Sequence, residues 1–164
     1  MIFKPTISVE NVLAIDKKLL YKLKVKGLIL DLDNTLSMHD NPAAEHGVPE
    51  WLESMRELGV HMFVASNNNR ERVAPLAEQL GLKFIAFSCK PLPFGIDKAV
   101  KKLKECGVPR KQIAIVGDQI FTDVLGGNLY GIKSILVEPF YLEDKISFKL
   151  RRRAENLVYK RIKV

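Results

Sequence analysis

Short apolar runs alternate with amphipathic segments along most of this chain. Runs rich in branched residues and bounded by glycine or polar residues are typical of strands buried on both faces of a sheet. Five such strands are predicted, at 28–30, 62–65, 83–87, 113–116 and 133–137. Helical spacing of apolar residues predicts helices at about 49–58, 70–80 and 95–106, and one ending near Tyr130. This alternation predicts an α/β fold, a three-layer doubly wound parallel sheet of five strands.

The two ends of the chain flank this core with helical patterns. Residues 1–26 predict two short amphipathic helices, capped by Ser8 and Asp16, that form a strap across the domain. At 145–164 apolar residues recur at helical spacing among basic ones, which predicts a basic amphipathic helix. We therefore predict a single domain over 1–164 with its core at 27–144.

Composition and length exclude several classes of protein. With 164 residues, 47% of them hydrophobic and 27% charged, the chain is long enough to bury a core without disulfides or a structural metal. No apolar run approaches the ~18 residues of a membrane span, and the first residues lack the apolar core of a signal peptide. Cys89 and Cys106 have no metal-ligand spacing, so we expect reduced thiols in a cytoplasmic protein.

The net charge of +7 belongs entirely to the terminal segment 145–164, which holds eight basic residues and one acidic residue. Three interpretations stay open for it. The helix could contact anionic lipid as a peripheral membrane anchor, or dock on the domain with its charges solvated. Nucleic acid is the third and less favoured partner, because Phe148 and Tyr159 offer little aromatic surface for stacking on bases.

Two carboxylates, Asp31 and Asp33, directly follow the first predicted strand of the core. In extended chain they point to the same side, and at ~4 Å with an effective dielectric near 20 they repel by about 4 kcal/mol. A cation between them or a bound proton would relieve this repulsion. The alternative is an acidic turn that caps the next helix. His39 and His46 follow closely, either as metal or acid–base groups or as solvent-exposed loop residues.

Polar side chains also follow three of the other strands. Since ligands of open parallel sheets bind outside the carboxyl ends of the strands, we expect these side chains to share one pocket. Carboxylates suit Mg²⁺, and no cysteine–histidine cluster supports zinc. A lysine and a serine hydroxyl can hold phosphoryl oxygens, while one carboxylate attacks phosphorus and another transfers protons. The converging residues are Asp31, Asp33, Ser66, Lys90 and Asp118.

Four motifs occur here in the order typical of the haloacid dehalogenase-like (HAD) phosphatase superfamily, which the chain resembles over residues 27–137. They are DxDxT at 31–35, Ser66, Lys90-Pro91 and GDxxxTD at 117–123. The stretches DLDNTL, VASNNN, KPLP and GDQIFTDVLGGN resemble the YqeG-like branch more closely. That branch is similar to mitochondrial and plastid phosphatidylglycerophosphate phosphatases.

The resemblance implies a Rossmann-like fold, Mg²⁺ as cofactor, an aspartyl-phosphate intermediate and a role for each matching residue. Asp31 would be the nucleophile and Asp33 the general acid and base. Phosphoryl oxygens would be held by Ser66, Asn67 and Lys90. The implied metal ligands are Asp31, the backbone carbonyl of Asp33, and Asp118, with Asp123 behind them and acting through water.

The segments 34–65 and 91–117 are too short to contain the cap domain that many HAD phosphatases carry. An open pocket suits a large substrate or a headgroup presented by a surface. The sequence therefore predicts a capless phosphomonoesterase. The resemblance, together with the basic segment 145–164, implies phosphatidylglycerophosphate at the inner face of a membrane as its substrate. The alternatives are a nucleotide or protein phosphatase, and a non-catalytic module with this fold that binds RNA, the ribosome or a protein.

Overall fold

One parallel sheet of six strands forms the centre of the computed structural model, which describes residues 2–39 and 41–140. The order across the sheet is β1-β6-β5-β2-β3-β4, and every neighbouring pair is parallel. The central strands β2 and β5 are buried along their whole length, as their uninterrupted apolar runs predict. The strands are β1 (Ile7–Val9), β2 (Gly27–Leu30), β3 (His61–Ala65), β4 (Lys83–Ile85), β5 (Ile113–Gly117) and β6 (Lys133–Val137).

Helices cover both faces of the sheet, which confirms the doubly wound arrangement. Leu28 of β2 belongs to the core cluster that contains Leu52 of α2, whereas Ile29 belongs to the cluster that contains Leu103 of α4. Successive strand residues thus point to opposite faces. The helices are α1 (Lys17–Leu23), α2 (Val48–Glu57), α3 (Arg70–Gln79), α4 (Pro93–Glu105) and α5 (Leu125–Tyr130), with 3₁₀ turns at Val12–Ala14 and Arg110–Gln112 and a π-helical turn at Ile120–Val124.

The N-terminal strap differs from its prediction, and with it the number of strands. Ser8, predicted to cap a helix, lies in the edge strand β1 opposite Leu136 of β6, so the predicted count of five strands is wrong. Three residues are too few to separate strand from helix periodicity, and pairing with β6 decides the outcome. The second predicted cap is confirmed, since the carboxylate of Asp16 accepts a hydrogen bond from the backbone N–H of Leu19 at 2.7 Å.

No inserted domain occurs in the described part of the chain between β2 and β3, which holds a loop and α2. Among residues 2–39 and 41–140, no helix is long and apolar enough to cross a membrane. The predicted basic helix at 145–164 lies outside the described residues, as does the end of the predicted core.

Candidate active site

The carboxyl ends of β2, β3, β4 and β5 surround a cavity of about 170 Å³. This is the edge of the sheet at which the sequence places the polar strand ends. Asp118 directly follows β5 and is buried. The residues lining the cavity include Asp31, Asp33, His39, Ser66, Asn67 and Lys90.

Lys90 joins two carboxylates at the buried end of the cavity. Its Nζ donates to Oδ1 of Asp31 and to Oδ1 of Asp123, each at 2.7 Å, and its side chain is only 2% exposed. Burial alone would lower the pKa of Lys90, but the charges of Asp123 and Asp31 outweigh it and raise that pKa above its usual range. The ammonium charge is therefore held in place between the two acids.

Asp31 remains short of positive charge despite this contact. Burial raises the pKa of its carboxyl to about 7, with Asp123 and Asp33 adding to the rise and Lys90 opposing it. A cation beside Asp31 would favour its charged form. The carboxylates of Asp31, Asp118 and Asp123 each place an oxygen within 4.8 Å of the others, and all three are buried. A set of oxygen donors of this kind fits Mg²⁺.

Asp123 reaches this cluster through the π-helical turn at Ile120–Val124, a local form often found at functional sites. A Cβ at Gly117 would collide with the carboxylate of Asp123, so glycine is needed for this approach. The Oδ1 atom of Asp123 binds Lys90, and its Oδ2 accepts from the backbone N–H of Gln119 and the Thr122 hydroxyl, both at 3.3 Å. These bonds favour its predicted place behind the metal ligands.

The loop that carries Lys90 is fixed by the side chain of Asn67. Its Nδ2 donates to the Lys90 carbonyl at 2.9 Å, and its Oδ1 accepts from the Lys90 N–H at 2.7 Å and from the Ser88 hydroxyl at 2.8 Å. The Oγ atom of buried Ser66 accepts from the Asn68 N–H at 3.1 Å. Asn67 therefore positions Lys90. The predicted contact of Asn67 with phosphoryl oxygens stays a prediction.

Two residues absent from the sequence prediction hold Asp33. One nitrogen of Arg72, Nη2, donates to Oδ1 of Asp33 at 2.6 Å, to the Ser37 hydroxyl at 2.9 Å and to the Met38 carbonyl at 3.2 Å. The side-chain amide of Asn68 donates to Oδ2 of Asp33 at 2.6 Å. Each carboxylate oxygen thus has a protein donor, which fixes the orientation of the group.

A capping signal could have suggested Arg72. Asn69 caps α3 by accepting from the Arg72 N–H at 3.0 Å, which puts Arg72 in the first turn beside the strand ends. The two histidines differ in placement. His39 lines the cavity, with Nδ1 3.8 Å from Oδ1 of Asp33, whereas His46 is exposed and is not among the lining residues.

Solved structures with this arrangement of strands and helices include a hydrolase of the haloacid dehalogenase-like family from Brucella suis 1330. It matches with a TM-score of 0.56 and 10% identity, over 78% of this chain and 88% of that chain. A protein from Listeria monocytogenes serotype 4b matches with a TM-score of 0.55 and 19% identity, over 74% and 84% of the two chains. These two likenesses show the fold.

The model of the family described as mitochondrial PGP phosphatase matches residues 1–140. The chain belongs to this family and is a phosphatase of the HAD superfamily, as its motifs predict. It is 37% identical to "Probable phosphatase YqeG" of Bacillus subtilis (strain 168), over 98% of this chain and 92% of that protein. It is 26% identical to phosphatidylglycerophosphate phosphatase 1, chloroplastic/mitochondrial, of Arabidopsis thaliana, over 96% of this chain but 47% of that protein's length.

The contacts of Arg72 predict a positioning role that kinetics can test. We expect Arg72→Met to lower kcat for an aryl phosphate roughly tenfold to hundredfold with little change in KM, because misplacing a catalytic group by ~1 Å can cost about 10²-fold. Arg72→Lys should restore part of kcat, since one of the three acceptors can still be reached. Steady-state kinetics on the folded variants measures both parameters.

Arg70→Met is the matched control for this prediction. Arg70 is exposed in the same helical turn, with its guanidinium 5.0 Å from the centre of the Phe84 ring, and it is not among the residues that line the cavity. Its loss should leave kcat within about twofold, as is usual for surface substitutions. An unchanged kcat in Arg72→Met would show that Arg72 does not position Asp33 for catalysis.

Proposed function

We propose that this phosphatase hydrolyses the terminal phosphomonoester of phosphatidylglycerophosphate through an aspartyl-phosphate intermediate, with Mg²⁺ as cofactor. The observation that carries the chemistry is the buried Lys90 joined to Asp31 and Asp123 where β2 and β5 end. A lone acidic turn would have no need of a buried ammonium group, whereas phosphoryl transfer needs both a nucleophilic carboxylate and fixed positive charge.

In this proposal the reaction consists of two displacements at phosphorus, the first by Asp31 and the second by water. An oxygen of Asp31 attacks phosphorus, and the bond from phosphorus to the alcohol oxygen breaks as Asp33 gives that oxygen a proton. Asp33 then takes a proton from water, whose oxygen attacks the phosphoryl group and breaks the bond to Asp31. Free phosphate leaves, and both carboxyl groups return to their first state.

The remaining polar groups bind and orient the phosphoryl group. Lys90 holds Oδ1 of Asp31 and supplies positive charge, and the Ser66 hydroxyl and the Asn67 segment lie at the same wall. Mg²⁺ would be held by Asp31, Asp118 and the backbone carbonyl of Asp33, and would neutralise charge on the phosphoryl oxygens. Asp123, with both oxygens already bonded, would support these ligands from behind.

The lipid substrate is supported by the names of the family and of the Arabidopsis relative, and by the open cavity. A phosphate on a lipid headgroup needs no enclosing cap, because the bilayer holds the rest of the molecule. In this proposal the enzyme is cytoplasmic and peripheral at the inner face of the membrane, and the basic segment 145–164 attracts it to anionic lipid.

A substrate panel with and without chelator tests the proposal. We expect turnover of an aryl phosphate and of phosphatidylglycerophosphate in Mg²⁺, none after EDTA treatment, and recovery when Mg²⁺ is restored. The kcat/KM for phosphatidylglycerophosphate in mixed micelles should exceed that for glycerol 3-phosphate at least about tenfold, because only the lipid contacts the surroundings of the cavity. Released phosphate is the measured product.

Each arm of the panel has its own contrary result. Full activity in EDTA would remove the metal from the proposal while leaving the phosphatase. A preference for a nucleoside monophosphate or a phosphopeptide over the lipid would replace the substrate with that of a nucleotide or protein phosphatase. Phosphatidic acid serves as the matched lipid control, since it carries a phosphomonoester without the second glycerol.

A further inference from the structure

Three large apolar side chains are exposed in the segment 87–94, which contains Lys90 and the start of α4. Phe87 and Phe94 are each 64% exposed, and Leu92 is 54% exposed. We name these three residues the apolar rim. In the described part of the chain only eight large hydrophobic residues are exposed, and three of them lie within the segment 87–94. Exposed apolar residues scattered singly are ordinary, but a cluster beside a cavity marks an interaction site.

The loop is held in a fixed shape that keeps these side chains together. The Gly95 N–H donates to the Ser88 carbonyl at 3.1 Å, and a Cβ at Gly95 would collide with Ser88. The two ends of the loop therefore touch, and Phe87 and Phe94 immediately precede the touching residues. Leu92 lies between them in the sequence, as the N-cap residue just before α4.

Backbone contacts also place the rim next to the cavity. The Phe87 N–H donates to the carbonyl of Asn68, a lining residue, at 2.9 Å. Lys90, which lines the cavity, is in the middle of the same loop. The rim and a lining residue of the cavity therefore belong to one continuous segment of the chain.

Core packing does not explain why Phe87 is presented in this way. Its φ is +48°, in the left-handed region that aromatic residues seldom adopt. The fold accepts this conformation and yet leaves most of the ring in water. Backbone outliers of this kind cluster at functional sites, and here the outcome is an exposed apolar surface in the segment that also holds Lys90.

We propose that the apolar rim inserts into the interface of a phospholipid bilayer while the cavity receives a phosphorylated headgroup from that bilayer. This rests on the proposed lipid substrate and names the surface by which the enzyme would reach it. A water-soluble phosphate ester would gain nothing from exposed apolar side chains beside the cavity, whereas a lipid substrate is held in a bilayer whose apolar interior can receive them. A bilayer is therefore the occupant that the continuity of rim and cavity favours.

Insertion of apolar groups and attraction by the basic segment 145–164 differ in their response to salt. The electrostatic part fades as the screening length shrinks to ~3 Å at 1 M salt. Burial of apolar surface persists at high salt. Binding that survives at high salt is thus expected to belong to the rim.

The binding experiment compares two full-length variants with the wild type on phosphatidylcholine vesicles, with and without phosphatidylglycerol. The rim variant carries Phe87→Asn, Leu92→Gln and Phe94→Gln, with asparagine chosen because it tolerates a positive φ. The control variant carries Tyr21→Gln and Leu129→Gln, at side chains 86% and 61% exposed elsewhere on the surface.

At high salt we expect co-sedimentation of the rim variant to fall at least about tenfold, and the control variant to match the wild type. Hydrolysis of a soluble aryl phosphate should stay within about twofold in all three proteins, as for other surface changes. Hydrolysis of phosphatidylglycerophosphate in vesicles should fall with binding. Wild-type binding at high salt by the rim variant would overturn the proposal, and so would a wild type that ignores vesicles.

A reporter placed on the rim gives a second measurement that needs only one substitution. Phe94→Trp should be quenched by brominated phospholipid in the vesicles, while Tyr21→Trp should not. The native Trp51 is 6% exposed and gives a constant background. Equal quenching of Phe94→Trp and Tyr21→Trp would overturn the proposal that the rim inserts into the bilayer. If aryl phosphate is not hydrolysed at all, the proposed function fails instead, and the quenching result still decides the rim.

Discussion

Asp31→Asn is expected to abolish turnover and to leave no covalent phosphoenzyme. The substitution keeps the size of the side chain but replaces the carboxylate that we propose attacks phosphorus by an amide, which is a far weaker nucleophile. Loss of a nucleophile that forms a covalent intermediate costs roughly 10⁴-fold or more in kcat. Acid quenching after reaction with radiolabelled substrate, followed by a count of protein-bound phosphate, measures the intermediate directly.

Asp33→Asn is the matched comparison, since it makes the same change two residues away. Here kcat should fall by roughly 10²–10⁴-fold, the usual contribution of general acid–base catalysis. An aryl leaving group departs with little help, so the phosphoenzyme should still form and should accumulate when water is not activated. Near-normal turnover in Asp31→Asn, or phosphoenzyme in that variant, would show that another residue attacks phosphorus.

The separate behaviour expected of these two acids reflects contacts that only the structure reveals. Asp31 faces inward to Lys90, whereas Asp33 is held by Arg72 and Asn68. The sequence predicts that both carboxylates leave the same strand on the same side, because strand periodicity and the carboxyl-end rule are local and topological. It does not predict that Arg72 and Asn68 hold Asp33, because these two residues come from α3 and from the loop after β3.

The failures of prediction have the same physical origin. β1 has three residues and gains its identity from pairing with β6, far away in the sequence. Arg72 contacts Asp33 because its side chain is long and α3 begins close to the end of β2, and no sequence motif marks this contact. The central strands β2 and β5 were predictable because burial on both faces makes almost every residue of each strand apolar.

Asp123 shows how a motif residue can be predicted while its geometry is not. The spacing from Asp118 to Asp123 is visible in the sequence, but the π-helical turn between them is not. The π-helical turn and the missing side chain at Gly117 together let the Asp123 carboxylate approach β5 and meet Lys90. Lys90 is thus the one positive group that both Asp31 and Asp123 contact within the described residues.

Lys90→Met should therefore reduce both activity and stability. Removal of one member of a buried ion pair typically costs about 3–5 kcal/mol, because the remaining charge stays buried without a partner. Here two carboxylates would remain, and loss of the lysine would raise the pKa of Asp31 further above its unfolded value. We also expect kcat to fall at least about 10³-fold, since the phosphoryl group loses its fixed positive charge.

The pH dependence of that instability identifies its cause. A carboxyl group whose pKa is higher in the folded than in the unfolded protein contributes stability that is fully present below the unfolded pKa, near 3.8 for Asp31. That stability is lost as the pH rises through the folded pKa, which is about 7 for Asp31 in the wild type. In EDTA-containing buffer, the free energy of unfolding of Lys90→Met, measured by urea titration, should thus fall further below the wild type at pH 8 than at pH 5. Lys98→Met, at an exposed lysine of α4, should match the wild type at both values. If Lys90→Met loses the same free energy at pH 5 as at pH 8, the buried carboxylates are not the source of the loss, and Lys90 stabilises the fold by packing alone.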